Sequence, residues 1–247
     1  MMALTQREKN RQARQDQILA AALRVFSEAG YSGASMDVIA AQAGLSKPTL
    51  YHHFASKEHL FQAMMAAQRD VILLAFDAGA RRDLVDHLVD FAWSYADTVM
   101  RPEFLALARL IIGEAHRFPD VGRDYQQSGP DKVLAGLMAF FVDQRDLGRL
   151  AFADAELAAE DFWGLILSAP RNRALHEPDA DIGRATVARY IHNGIRTFLR
   201  AYSTDPAADL ARLEQALADA ARSSASATGA GGSGNAPPGA NAGSGGD

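Results

Sequence analysis

Nearly every apolar segment of this 247-residue chain repeats its large side chains at three- and four-residue spacing. That is the period of a helix with one buried face. Ile18, Leu19, Ala22, Leu23 and Phe26 make one stripe, and Leu84, Leu88, Phe91, Ala92, Tyr95 and Val99 another. Phe104, Leu107, Ala108, Ile111 and Ala115 follow, then Val133, Leu137, Phe140 and Phe141. No convincing run alternates with period two, as a half-buried strand requires. The pattern therefore predicts an all-α fold. Glycines and prolines divide it: Gly30 and Gly44 stop two early helices, and Arg101-Pro102, Phe118-Pro119 and Ala169-Pro170 stop later ones.

The two ends differ from the middle. Residues 1–14 hold Arg7, Lys9, Arg11 and Arg14 against Glu8, and read as a basic arm or a solvated tail. The net charge is −5. Any affinity for phosphate must therefore come from local basicity, since the chain is no polycation. From Ser223 to Asp247 the residues are small or polar, without one large apolar side chain, and a disordered tail is expected. Cys is absent, which excludes disulfides, thiol nucleophiles and thiolate metal sites. With no signal-like or membrane-length apolar run, a cytoplasmic protein is expected.

The stretch "GLSKPTLYHHFASKEHL", residues 44–60, is the most informative. Ser35, Ser46 and Ser56 each stand where an N-cap is needed, and Pro48 falls in a first turn whose amides have no intrahelical partner. Stepping about 100° per residue from Leu50 puts Phe54 on the same inner side. Pro48 and His52 then lie opposite, Thr49 and Tyr51 on the flanks, and Lys47 and His53 near the edges. Two short helices joined by a Gly-containing turn, the second with a polar outer face, make the pattern of a helix-turn-helix. Its residue types suit duplex DNA: Ser35, Lys47, Tyr51, His52, His53 and Lys57 can bond phosphate oxygens, and Pro48 and Thr49 can meet a thymine methyl. The competing reading is an ordinary connecting helix with a solvated face.

Residues 15–64, "QDQILAAALRVFSEAGYSGASMDVIAAQAGLSKPTLYHHFASKEHLFQAMM", also resemble the N-terminal domain of TetR-type transcriptional regulators. The match runs in register through F-x-E-x-G-Y, I-A-x-x-A-G-L-S and T-L-Y-x-H-F-x-S-K-E-x-L. Residues 104–130, "FLALARLIIGEAHRFPDVGRDYQQSGP", resemble an AefR-like regulatory domain. The resemblance implies a helix-turn-helix domain over 15–60 and a helical ligand-binding and dimerisation domain over 61–222. It further implies a homodimeric repressor that leaves its operator DNA when a small-molecule effector binds. By position, Lys47, Pro48, Thr49, Tyr51, His52, His53 and Lys57 match DNA contacts, and Ser35 a phosphate contact. Asp37 takes a place where some members carry a basic base-reading residue.

Other constellations are weaker. His52 and His53 point about 100° apart, so with His59 they make no natural metal set. No nucleotide-loop or G-x-S-x-G pattern occurs, and nothing in the sequence asks for a cofactor. A small-molecule enzyme, or a helical interaction protein without operator binding, remains the alternative. In the C-terminal part Trp93, Tyr95, Phe140 and Trp163, with Arg109 and His116, are candidate ligand contacts; each is otherwise ordinary core or surface. Phe162 and Ile166 on one helix, with Ile191, Ile195, Phe198 and Tyr202 on another, are expected to form the dimer interface rather than the domain's own core.

Overall fold

The computed structural model describes residues 5–76 and 83–229, with side chains of the last helix as far as residue 218. The described residues form eleven α-helices and no strand. In the head, α1 is Gln6–Gly33, α2 Met36–Gln42, α3 Lys47–His53 and α4 Lys57–Leu73. After a 3-10 turn at Leu74–Phe76 the body contains α5 (Leu84–Val99), α6 (Pro102–Glu114), α7 (Pro119–Ser128) and α8 (Pro130–Asp146). It ends with α9 (Ala155–His176), α10 (Arg184–Tyr202) and α11 (Pro206–Gly229).

The caps fall where the serines place them. Ser35 accepts from the Val38 amide, Ser46 from Thr49 and Ser56 from His59, so α2, α3 and α4 each begin on a satisfied donor. The chain turns between α2 and α3 at Gly44, whose φ of 65° is one that glycine adopts without strain. In the head core, Phe61 of α4 meets Phe26 and Tyr31 of α1 edge-on at 5.4 and 5.3 Å. A second aromatic cluster forms the body: Phe198 lies 4.9 Å from Phe141 and 5.0 Å from Phe162, and Phe76 stacks on Phe140 at 4.3 Å. Helix α4 contributes to both cores, with Leu60 and Phe61 toward the head and Ile72 toward the body.

Several expectations change. The basic arm is helical from Gln6 and forms the first turns of α1, opened by a Thr5–Glu8 capping box; residues 1–4 lie outside the described residues. The tail expected from Ser223 is helical as far as Gly229, and 230–247 lie outside the described residues. Helix α9 does not stop at Pro170 but continues for six more residues to His176. Proline there removes one i→i−4 bond, a cost of about 3 kcal/mol in an isolated helix. Pro170 is itself buried, and packing of α9 on α10, α8 and α6 keeps the helix going. Helix α11, absent from the periodicity reading, packs on α5 and α10, with Leu213 fully buried and Arg212 bonded to both Asp86 oxygens.

The expected dimer residues are also placed differently. Phe162, Ile166, Ile191, Ile195 and Phe198 are all fully buried within the single chain, where α9 and α10 pack against each other and against α5 and α8. Tyr202 is half-buried and donates to Asp161 at 2.5 Å. Their spacing correctly marks a buried face, but that face is covered by the domain's own helices. Ile195→Ala is therefore expected to cost about 2–5 kcal/mol of stability. Ile195→Asp should lose the cooperative melt instead of giving a folded monomer. Thermal melts read beside sedimentation check this; a folded, monomeric Ile195→Asp protein would return the residue to an interface.

Candidate nucleic-acid interface and effector cavity

On α3, Leu50 is fully buried and Phe54 nearly so, which turns the rest of the helix outward. Lys47, Pro48, Tyr51 and His52 are exposed, and Thr49 and His53 half-exposed. Gln17 of α1 donates to the Ala43 carbonyl at 2.7 Å, fixing the end of α2 against α1. Ser35 is exposed, with its hydroxyl engaged as the α2 cap.

The electrostatics of this face are mixed. Lys47 reaches Asp37 at 2.8 Å, with both side chains more than half exposed. The hydrogen bond and charge of Asp37 raise the Lys47 pKa. Solvent screens an exposed pair of this kind, so it holds Lys47 less firmly than a good base contact would. Asp37 therefore orients Lys47 without locking it away. Beside α3, Arg7, Arg11 and Arg14 of α1 line a recess of about 320 Å³ with His52 and His53. Burial lowers the His53 pKa, and His52, Arg11 and Arg14 lower it further. The cations expected of a loose arm are thus held on a helix next to the outward helix.

Lys57 is placed differently from the expected phosphate contact. Its ammonium donates to the carbonyls of Tyr31 at 2.8 Å and Ala34 at 3.1 Å, and lies 4.5 Å from the Tyr31 ring centroid. It fastens the start of α4 to the end of α1. Gly30, at φ 71°, lets α1 kink just before this junction; a side chain there would also come within 2.6 Å of the Glu114 carboxylate of α6.

A cavity of about 790 Å³ opens within the body, inside the range of about 300–1,000 Å³ usual for small-molecule sites. Its walls come from α4 (Met65, Gln68, Ile72), α5 (Tyr95, Val99), α6 (Phe104, Ile111), α7 (Tyr125), α8 (Val133) and α9 (Trp163, Leu167, Arg171, Asn172). Of the six sequence candidates, Tyr95 and Trp163 line it, packed edge-on at 5.5 Å. The other four do not. Trp93 packs under Arg184 at 4.2 Å, and Arg109 donates to the Ala174 carbonyl. His116 is exposed, and Phe140 belongs to the aromatic core. Arg171 escaped notice because it lies just beyond the proline expected to end its helix. Among the described residues no three His, Asp or Glu side chains gather to hold a metal, and no helix is long and apolar enough to cross a membrane.

Residues 18–64 match the model of the bacterial regulatory proteins of the tetR family, and residues 86–204 that of the AefR-like transcriptional repressor C-terminal domain. A crystal structure of a TetR-family transcriptional regulator from Mesorhizobium loti aligns with TM-score 0.65 and 30% identity, over 78% of this chain and 98% of that one. The chain belongs to the TetR family. The solved flavonoid-responsive regulator FrrA aligns with TM-score 0.57 and 31% identity, over 78% of this chain and 98% of that one. The HTH-type transcriptional regulator UidR of Escherichia coli K12 is 36% identical over 108 residues, which is 42% of this chain and 53% of UidR. The chain spans about half, or less, of the length of the curated relatives it matches. These TetR-family relatives are transcriptional regulators rather than enzymes, in line with the helix-turn-helix reading.

Two outcomes are expected at this site. Lys57→Ala should lower head stability by about 1–2 kcal/mol, because two charge-assisted bonds and a ring contact are lost. A chemical denaturation series measures it, and an unchanged midpoint would free Lys57 for a phosphate role. Phosphate at the Arg11–His53 recess should raise the His53 pKa, so operator binding takes up a proton. Affinity should then rise as pH falls through the bound-state pKa and level off below the free-state pKa, which lies under the ordinary imidazole value. His53→Gln should flatten that rise in a binding titration across pH.

Proposed function

We propose that this chain is a ligand-responsive transcriptional repressor. In this reading it acts in the cytoplasm as a homodimer on a pseudo-palindromic operator, and a small molecule in the body cavity releases it. One observation supports this above all: α4 and α6 each touch both ends of the molecule. Helix α4 begins on the Lys57 anchor and reaches the cavity at Met65, eight residues or about 12 Å along its axis. Helix α6 lines the cavity with Phe104 and Ile111 and sets Glu114 against α1. A ligand that favours one setting of these helices changes the population of DNA-competent heads, provided it binds the two states unequally.

Ser35, Lys47, Pro48, Thr49, Tyr51, His52 and His53 are the proposed DNA contacts, with Lys57 supporting them from beneath. A dimer would place two α3 helices on half-sites about 34 Å apart. Since the apolar stripes of α9 and α10 are used internally, the proposed two-fold surface is their outer side. There Leu157 and Thr197 are exposed, and Leu165 and Tyr190 half-exposed.

Genomic fragments selected by the purified protein should share a two-fold motif, and footprinting should protect two half-sites. A single protected half-site would sink the dimer reading, and raised transcription from the target would make the protein an activator. Tyr51→Ala should weaken binding to the selected site while leaving the melt unchanged. Lys47→Ala should relax the base preference at one position of each half-site. An unaltered sequence logo would remove Lys47 from base reading.

A further inference from the structure

The proposed effector cavity contains one guanidinium that is only partly satisfied among the described residues: it bonds the Tyr125 hydroxyl, and no carboxylate there pairs with it. Arg171 of α9 lines it, and its Nε is buried without a hydrogen-bond partner among the described residues. Other arginines of the body are matched: Arg109 to the Ala174 carbonyl, Arg184 to Asp97 at 2.7 Å, and Arg212 to Asp86 at 2.6 Å. Arg69, also in the cavity wall, is held by Asp70 at 2.6 Å. The acidic residue in the wall is Glu160. It lies on the same helix eleven residues earlier, about 16 Å away along the axis, out of reach of Arg171. A native fold rarely leaves a buried guanidinium nitrogen unpaired, and such a group asks for an explanation.

We propose that the effector of this regulator carries an anionic group, a carboxylate or a similar planar or tetrahedral oxyanion, seated on Arg171, with a flat apolar body against Trp163, Phe104 and Ile111. The inference rests on the cavity being the effector site. The guanidinium fork matches an oxyanion with two parallel donors, which an ammonium would not provide. Tyr95 and Tyr125 stand in the same wall. Burial raises both hydroxyl pKa values, opposed by the Arg171 charge and, at Tyr125, by a hydrogen bond from Arg171; both hydroxyls keep their proton to donate to the same anion. Trp163, edge-on to Tyr95, gives the ring surface for the rest of the molecule. A neutral apolar ligand would fill the volume but leave the Arg171 Nε unpaired. A cation would face a like charge.

The test uses the full chain and two dyes with one shared ring body. The first is 1-anilinonaphthalene-8-sulfonate, and the second is N-phenyl-1-naphthylamine, which lacks the sulfonate. Both report an apolar cavity by fluorescence. Arg171→Gln is expected to weaken the sulfonate dye about tenfold and to leave the neutral dye within about twofold. Arg171→Lys, which keeps the charge but loses the fork, should fall between. Arg184→Gln, outside the cavity, should change neither. Equal affinity of the sulfonate dye for the wild type and Arg171→Gln overturns the proposal. So does a parallel loss of both dyes, which would make Arg171 a support of the cavity wall. If the wild type binds neither dye, the cavity reading itself fails and this inference with it. If the wild type binds the neutral dye but not the sulfonate, the cavity reading stands and the anion is ruled out.

Discussion

Helix α4 must satisfy two hydrophobic cores at once, and the arrangement of the molecule follows from that constraint. Its first half gives Leu60, Phe61 and Met64 to burial, with Phe61 between Phe26 and Tyr31. Its second half turns Met65 and Leu73 toward α8, where Gly129 and Gly136 leave room: a side chain at Gly129 would come within 2.6 Å of the Met65 methyl, and one at Gly136 within 2.7 Å of Leu73. Each half is buried by a different set of helices. No rotation of α4 can improve one core without disturbing the other. Interiors are close-packed and do not deform continuously, so such a helix has few allowed settings. The Lys57 bonds to the end of α1 make the first of those cores rigid at the point where α4 begins.

Much of the head was legible because its signals are local. A serine one residue before a helix, a glycine at a left-handed turn and a leucine opposite a polar face each need only a few neighbours to be interpreted. The outward display of Lys47, Tyr51 and His52 follows from Leu50 being buried. Lys57 shows the limit of such local signals: a lysine in a first turn says that a cation is present, and the carbonyls of Tyr31 and Ala34 that it bonds come from more than twenty residues away.

The body was legible as helices but not as an arrangement. Periodicity reports that a face is buried without saying what buries it. Ile191, Ile195 and Phe198 carry the same spacing whether their cover is α9 of the same chain or a second subunit, and here it is the former. The rule that proline ends a helix fails at Pro170 because tertiary packing outweighs one lost hydrogen bond. That failure hid Arg171, which the continued turns carry into the cavity wall. Helix α11 was hidden by its alanine-rich composition; Leu210, Leu213 and Leu217 are a thin stripe, sufficient because α5 and α10 supply most of the apolar surface.

Under the proposed mechanism, the geometry also sets how small an effector-driven change needs to be. Helix α4 spans seventeen residues, about 25 Å. Pivoting it by roughly 5° about its cavity end moves its other end by about 2 Å, and the head is fastened to that end. Hydrogen bonds to DNA lose most of their strength over less than that, since N–H···O distances beyond about 3.5 Å no longer count as bonds. In the proposed two-fold complex the effect would double, because both heads would have to fit one duplex at a fixed half-site spacing. A ligand therefore need not unfold or reshape the cavity. It need only prefer the pivoted setting by a few kcal/mol, the scale on which two-state equilibria are shifted. Contacts that span α9 on one side and α4 or α6 on the other are the ones able to sense that pivot; a ligand held by α9 alone would bind both settings equally and leave the DNA affinity where it was.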